Sequence, residues 1–111
     1  MWENDAGMRG WQEFMASHMP GADRSDASYV YAYGVSKTLL QVLKQCGEDV
    51  SRENVMRQAA NLHELEIPVL MPGIKVNTSP TNYHPIQAMR LIRWSGKTWE
   101  PFGDLIQVSE F

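Results

Sequence analysis

Cysteine is nearly absent from this 111-residue chain. Cys46 stands alone, which excludes an internal disulfide. Its place on an apolar helical face reads as a small core residue rather than a reactive thiol. Long hydrophobic runs are missing too: no stretch approaches the roughly 20 apolar residues that a membrane-spanning helix needs. The opening MWENDAGMRG is acidic and has no hydrophobic region, so no signal peptide is expected in it. An excess of basic charge is also lacking, since ten Lys and Arg against thirteen Asp and Glu give a net charge of −3. No basic stripe suits nucleic acid, and no basic amphipathic helix suits an anionic membrane. What is present, 43% hydrophobic and 21% charged residues, is the composition of one small globular domain rather than of disordered chain.

Residues 26–47, DASYVYAYGVSKTLLQVLKQCG, organise the rest. Apolar or small residues recur at Tyr29, Ala32, Tyr33, Ser36, Leu39, Leu40, Leu43 and Cys46, which is helical spacing. Val30, Val35 and Val42 fall off that face. The apolar arc is therefore wide, and such a helix is expected to lie sandwiched between other elements as the most buried of the chain. Ser25 or Asp26 can cap its start. Lys44 suits the negative end of the dipole, and Gly47 ends the helix with a left-handed residue. Gly34 inside the helix costs about 1 kcal/mol relative to alanine, which close packing of a neighbouring backbone would offset.

A first helix is expected over 5–18, with Asp5 as N-cap and Met8, Trp11, Phe14 or Met15, and His18 or Met19 on one face. Pro20-Gly21 stops it. A third helix over 51–62 opens at Asp49 or Ser51 and turns Val55, Met56, Ala59, Ala60 and Leu62 inward. Beyond Pro68 the texture changes. Residues 69–71 and 74–76 read as extended segments around a turn, and NTSPTNYHP as a loop. Residues 88–94 and 98–102 form a hairpin across Ser95-Gly96-Lys97, which brings Trp94 near Trp99 and leaves Pro101 on an edge. The chain thus reads as three helices over 1–67, then short strands and a C-terminal β-hairpin over 68–111.

The residues assemble no active site. His63-Glu64 begins like a helical zinc-protease motif, but Ile67 stands where the second histidine belongs. His18 and His84 have no suitably spaced partners. Ser36 has no nucleophile-elbow glycines around it. Asn77-Thr78-Ser79 matches a glycosylation sequon, a triplet common by chance. Tyr29, Tyr31 and Tyr33 point in different directions from one helix, so at least one of them faces solvent or a cleft.

Taken in order, W-x-x-F-M…MPGAD, the Tyr-rich helix running into VLKQCGEDVSRENVMRQAANL, and LMPGIKVNTSPTNYHPIQAMRLIRWSGKTWEPFG closely resemble one family. It is the C-terminal part of the ABC-transporter substrate-binding proteins for branched-chain amino acids (leucine, isoleucine, valine). The resemblance spans residues 2–106. Val50-Ser51 departs from the Leu-Thr expected before Arg52-Glu53-Asn54, and a serine still caps there. The resemblance implies an α/β, type I periplasmic-binding fold, of which residues 1–111 would be a single partial domain. It also implies a periplasmic setting, a small solute (an amino acid or similar carboxylate) held only together with the other lobes, and an ABC permease as partner. It implies no catalytic residue and no cofactor, so not an enzyme. Carried over by position, Ser28 is the best-matched cleft residue, with Tyr29 and Tyr31 beside it. The alternative expectation is a truncated remnant without transport activity that self-associates as a small unit.

Overall fold

The computed structural model describes residues 4–108 and contains three helices and one two-stranded antiparallel sheet: α1 (Ala6–His18), α2 (Ala27–Cys46), α3 (Arg52–Ala59), β1 (Ala88–Trp94) and β2 (Trp99–Gln107). The outermost residues of the expected 1–111 span lie outside the described ones.

Each helix starts where a short polar side chain can take an orphaned amide. The Asp5 carboxylate accepts the Gly7 N–H at 3.0 Å, and Asp26 accepts the Ser28 N–H at 2.8 Å. Ser51 accepts the Asn54 N–H at 3.4 Å and is itself held by Asp49, whose carboxylate accepts the Ser51 N–H at 3.0 Å. Gly47 ends α2 where expected and with a positive φ of 61°, but its ψ of −126° is not that of a left-handed helical residue.

The core joins Trp11 and Met15 of α1 to Val42 and Cys46 of α2, and these to Leu62, Ile67, Val69 and Val76. Burying side chains of this size contributes roughly 1.5–3 kcal/mol each relative to exposure. Two backbones come unusually close at Gly7, where the Pro68 carbonyl occupies the space a β-carbon would need. Gly34 makes a similar allowance of a different kind. What lies over it is the side chains of Val69 and Ile67, not the neighbouring backbone expected from the sequence.

The structure corrects three expectations. The central helix is not the most buried element. Only Val42 and Cys46 of α2 are buried, whereas Ala32, Ser36, Leu39, Leu40 and Leu43, expected inside, are exposed. Because the helix is apolar nearly all round, its periodicity did not decide which side would find partners. The side that wins carries Gly34, which accepts Val69, and Tyr33, whose ring meets Phe14 of α1 at 5.3 Å.

The second correction is at α3, which stops at Ala59 instead of running to residue 62. Thr78 takes over the end of that helix. Its hydroxyl donates to the Ala59 carbonyl at 2.6 Å and accepts the Leu62 N–H at 2.9 Å. Groups that a longer helix would have satisfied internally are satisfied from across the chain.

The third correction concerns residues 69–71, which are not extended. The Leu70 N–H donates to Ile67 and the Ile74 N–H to Met71, each at 3.0 Å, which makes two successive β-turns. Pro68 and Pro72 hold the second position of each turn, where their fixed φ is favoured, and Gly73 supplies the φ of 90° that the second turn needs. Extended pairing begins only at Val76, bridged antiparallel to Leu65 on one side and Ile86 on the other.

The hairpin forms as expected and runs further, to Gln107. Trp94 pairs with Trp99, Ile92 with Pro101 and Leu91 with Phe102, and the two indole rings stand 5.5 Å apart. The register then shifts between Met89 and Leu91. Gly103, with φ of 69°, lies in that bulge and accepts the Arg90 side chain at 3.1 Å.

Candidate functional site

An apolar groove of about 590 Å³ runs along α2. One wall is the helix itself, through Val30, Tyr31, Gly34, Val35 and Leu39. The other comes from far along the chain, through Ile67, Val69, Leu70 and Ile86. The two successive turns at Pro68 and Pro72 carry Val69 and Leu70 toward the helix, and Gly34 lets Val69 approach. Hydroxyls are the only polar side-chain groups along the groove, and that of Thr38 is spent on the Gly34 carbonyl at 3.0 Å. No charged side chain lines it. Such a surface can hold hydrocarbon, but it offers nothing to an ammonium or a carboxylate.

The three positions singled out from the sequence separate here. Tyr31 is 74% exposed and borders the groove. Tyr29 is half-buried against the core. Ser28 is exposed at the first turn of α2, its N–H committed to Asp26 and its side chain outside the groove. Tyr33 supports the scaffold, packed on Phe14 with the Lys37 ammonium 5.1 Å from its ring centre. The groove residues missed by the sequence reading were Val35, Ile67, Val69 and Ile86. The available signal was Val30 and Val35 lying off the main apolar face of the helix.

Electrostatics concentrate at the helix starts rather than in the groove. Hydrogen bonds from Ser25 hold the Asp23 carboxyl below its ordinary value, bonds from Ser28 do the same for Asp26, and bonds from Ser51 for Asp49. Among the described residues no group of three His, Cys, Asp or Glu side chains is placed to hold a metal ion. The sequon asparagine is already engaged. Asn77 accepts the Glu64 N–H at 2.8 Å and donates its amide to the Glu64 carboxylate at 3.0 Å. That reciprocal pair holds Glu64 at its φ of 48°, the left-handed region that residues with a β-carbon seldom occupy.

No family model, curated protein or solved structure matches this chain. Among the described residues no helix is long and apolar enough to cross a membrane.

Proposed function

We propose that this chain is the C-terminal part of a two-lobed periplasmic protein that carries a small solute, a branched-chain or related amino acid, to an ABC importer. In this reading the α2 groove borders the solute cleft. The resemblance of its ordered segments to that family supports the reading, and one observation carries it furthest. The groove is apolar along its length, free of charged side chains, and bordered by Tyr31 near the start of α2. An aliphatic side chain can lie there, while the ammonium and carboxylate of the same solute are held by segments of the other lobe. Tyr31 would orient the solute, and Ser28 and Tyr29 would act only once a second lobe closes over the start of the helix.

Titration calorimetry with leucine, isoleucine, valine and phenylalanine tests this on two samples, residues 1–111 and the full product of the gene that carries them. The full product should bind at least one of the four with micromolar affinity, about −8 kcal/mol. Residues 1–111 should show no heat of binding. In the full product Tyr31→Ala should weaken binding roughly tenfold, about 1.4 kcal/mol. A full product that binds none of them overturns the proposal. Micromolar binding by residues 1–111 alone would place a complete site within this chain.

A further inference from the structure

The outward side of α2 carries a second feature, which meets the groove at Val35 and Leu39. Ser28, Ala32, Val35, Leu39 and Leu43 follow one another at three- or four-residue steps, and all are exposed. Ser36 and Leu40 lie beside them and are exposed as well. Val35, Leu39 and Leu40 are each about half open to solvent. Lys37, the one charged residue between Ser28 and Leu43, is turned away over the Tyr33 ring. A 20-residue helix therefore presents an uncharged seam with coiled-coil spacing.

The seam is graded along its length, with small residues in its first half and leucines in its second. Two such helices laid antiparallel, with a two-fold axis between Val35 and Ser36, set Ser28 opposite Leu43, Ala32 opposite Leu39 and Val35 opposite Ser36. Every layer then pairs a small side chain with a larger one, the complementarity that lets facing layers interlock. A parallel pair would set serine on serine and leucine on leucine. Two-fold pairing of one patch with itself is also the commonest form of soluble oligomer.

The amount of open surface agrees. The chain exposes 8051 Å², against about 6,200 Å² for a compact monomer of its mass. It is a flat body 19 Å thick, with a radius of gyration of 16.0 Å where a compact chain of this length would have about 13 Å. A standard interface removes about 800 Å² from each partner, well within that excess. We propose that the outward face of α2 binds a second copy of this chain, as an antiparallel α2–α2 pair centred between Val35 and Ser36. The face shares Val35 and Leu39 with the groove, so the two proposals are read on different samples: association on residues 1–111, and solute binding on the full product of the gene.

Sedimentation equilibrium of residues 1–111 across the micromolar range is the first test, and it should return twice the chain mass. Leu39→Glu and, separately, Ala32→Glu should each weaken association roughly a hundredfold, since each buries an unpaired charge at the seam. Both positions are exposed in the single chain, so circular dichroism and melting of the dilute monomer should be unchanged. Ile92→Glu on the hairpin should leave association as it was. Orientation is read by cross-linking. A chain carrying Ser28→Cys mixed with one carrying Leu43→Cys should form a disulfide-linked pair, and neither alone should do so. A monomer throughout the range overturns the proposal. So does a dimer indifferent to both seam variants, dispersal by Ile92→Glu, or cross-linking of Ser28→Cys with itself.

Discussion

The helical region and the hairpin use similar side chains to different ends. In the helical region Trp11, Met15, Val42, Leu62, Ile67, Val69 and Val76 come together and exclude water. In the hairpin Met89, Leu91, Ile92, Trp94, Trp99, Phe102 and Ile106 are all between about two-fifths and three-fifths exposed. The hairpin keeps its form through ladder hydrogen bonds, the Trp94–Trp99 pair and the Arg93 guanidinium over the Phe102 ring at 5.8 Å. Apolar content by itself therefore does not identify a core. It identifies surface that must meet something, and the hairpin and the outer side of α2 have met nothing within this chain.

That contrast can be broken most directly with one residue type in two places. Met15 is 1% exposed and Met89 is 56% exposed. Met15→Ala should cost about 3 kcal/mol in urea denaturation, the loss expected for emptying a core position. Met89→Ala should cost no more than about 0.5 kcal/mol. Equal losses would mean that the hairpin is buried in solution by a contact this structure does not contain.

The next effect in size sharpens the comparison inside the helical region, where a polar group is buried among the apolar ones. The Asn54 amide donates to the Asp49 carbonyl at 2.7 Å and the Cys46 carbonyl at 3.4 Å, and its oxygen accepts from Arg57 and Gln58. It therefore ties the end of α2 to the start of α3. Asn54→Leu should cost about 2 kcal/mol by removing the donor of the Asp49 carbonyl, while the Cys46 carbonyl keeps the Asp49 N–H at 3.3 Å. Amide exchange should accelerate over the last turn of α2 and not in the hairpin. Acceleration in both regions would show that they open as one unit.

The smallest effect is acid sensitivity. Asp23, Asp26 and Asp49 have folded-state values held below the ordinary carboxylate value of about 3.9 by bonds from serine groups. A lowered folded value contributes stability that is present above the unfolded value and lost as pH falls through the folded one. Melting should therefore be flat from neutral pH to about 5 and decline below about 4, with the starts of α2 and α3 fraying first. Replacing Asp26 with Asn should shrink the decline at the start of α2 and leave the hairpin signals unmoved. Hairpin amides that fray before those helix starts would reverse the assignment.

Much of this architecture was legible because its signals are local. Asp5, Asp26 and Ser51 cap helices within a few residues of themselves, and Ser95-Gly96-Lys97 turns a hairpin whose strands are adjacent in sequence. What was not legible depended on partners far along the chain. Nothing near Leu62 announces that Thr78 will take its N–H, so α3 read as longer than it is. The turn at Pro72-Gly73 is legible, but Pro68 reads only as the stop of a helix, although it sits in the favoured second position of a turn of its own. The inward side of α2 could not be chosen, since Ile67 and Val69, which decide it, lie beyond α3. Direction on the helix says only that one of Tyr29, Tyr31 and Tyr33 faces solvent or a cleft; Tyr31 as a cleft residue is what the resemblance implies, and the far wall of the groove carries no signal of its own.

The close approach of Gly7 to Pro68 has a consequence in time. The hairpin joins residues that are near in sequence, and such elements form in about 1–10 μs. Seating α1 against the Pro68 carbonyl instead closes a loop that encloses α2 and α3, and it can happen only after the turns at 67–74 have set the position of that carbonyl. Assembly should therefore run on two clocks, with α1 arriving late and leaving early. The chain carries a reporter for each: Trp94 and Trp99 sense the hairpin, and Trp11, 5% exposed, senses the arrival of α1. Stopped-flow fluorescence of a variant with Phe at 2, 94 and 99, which keeps Trp11 as its one tryptophan, should show the slower phase alone. A single rate common to both reporters would show that the two regions fold together.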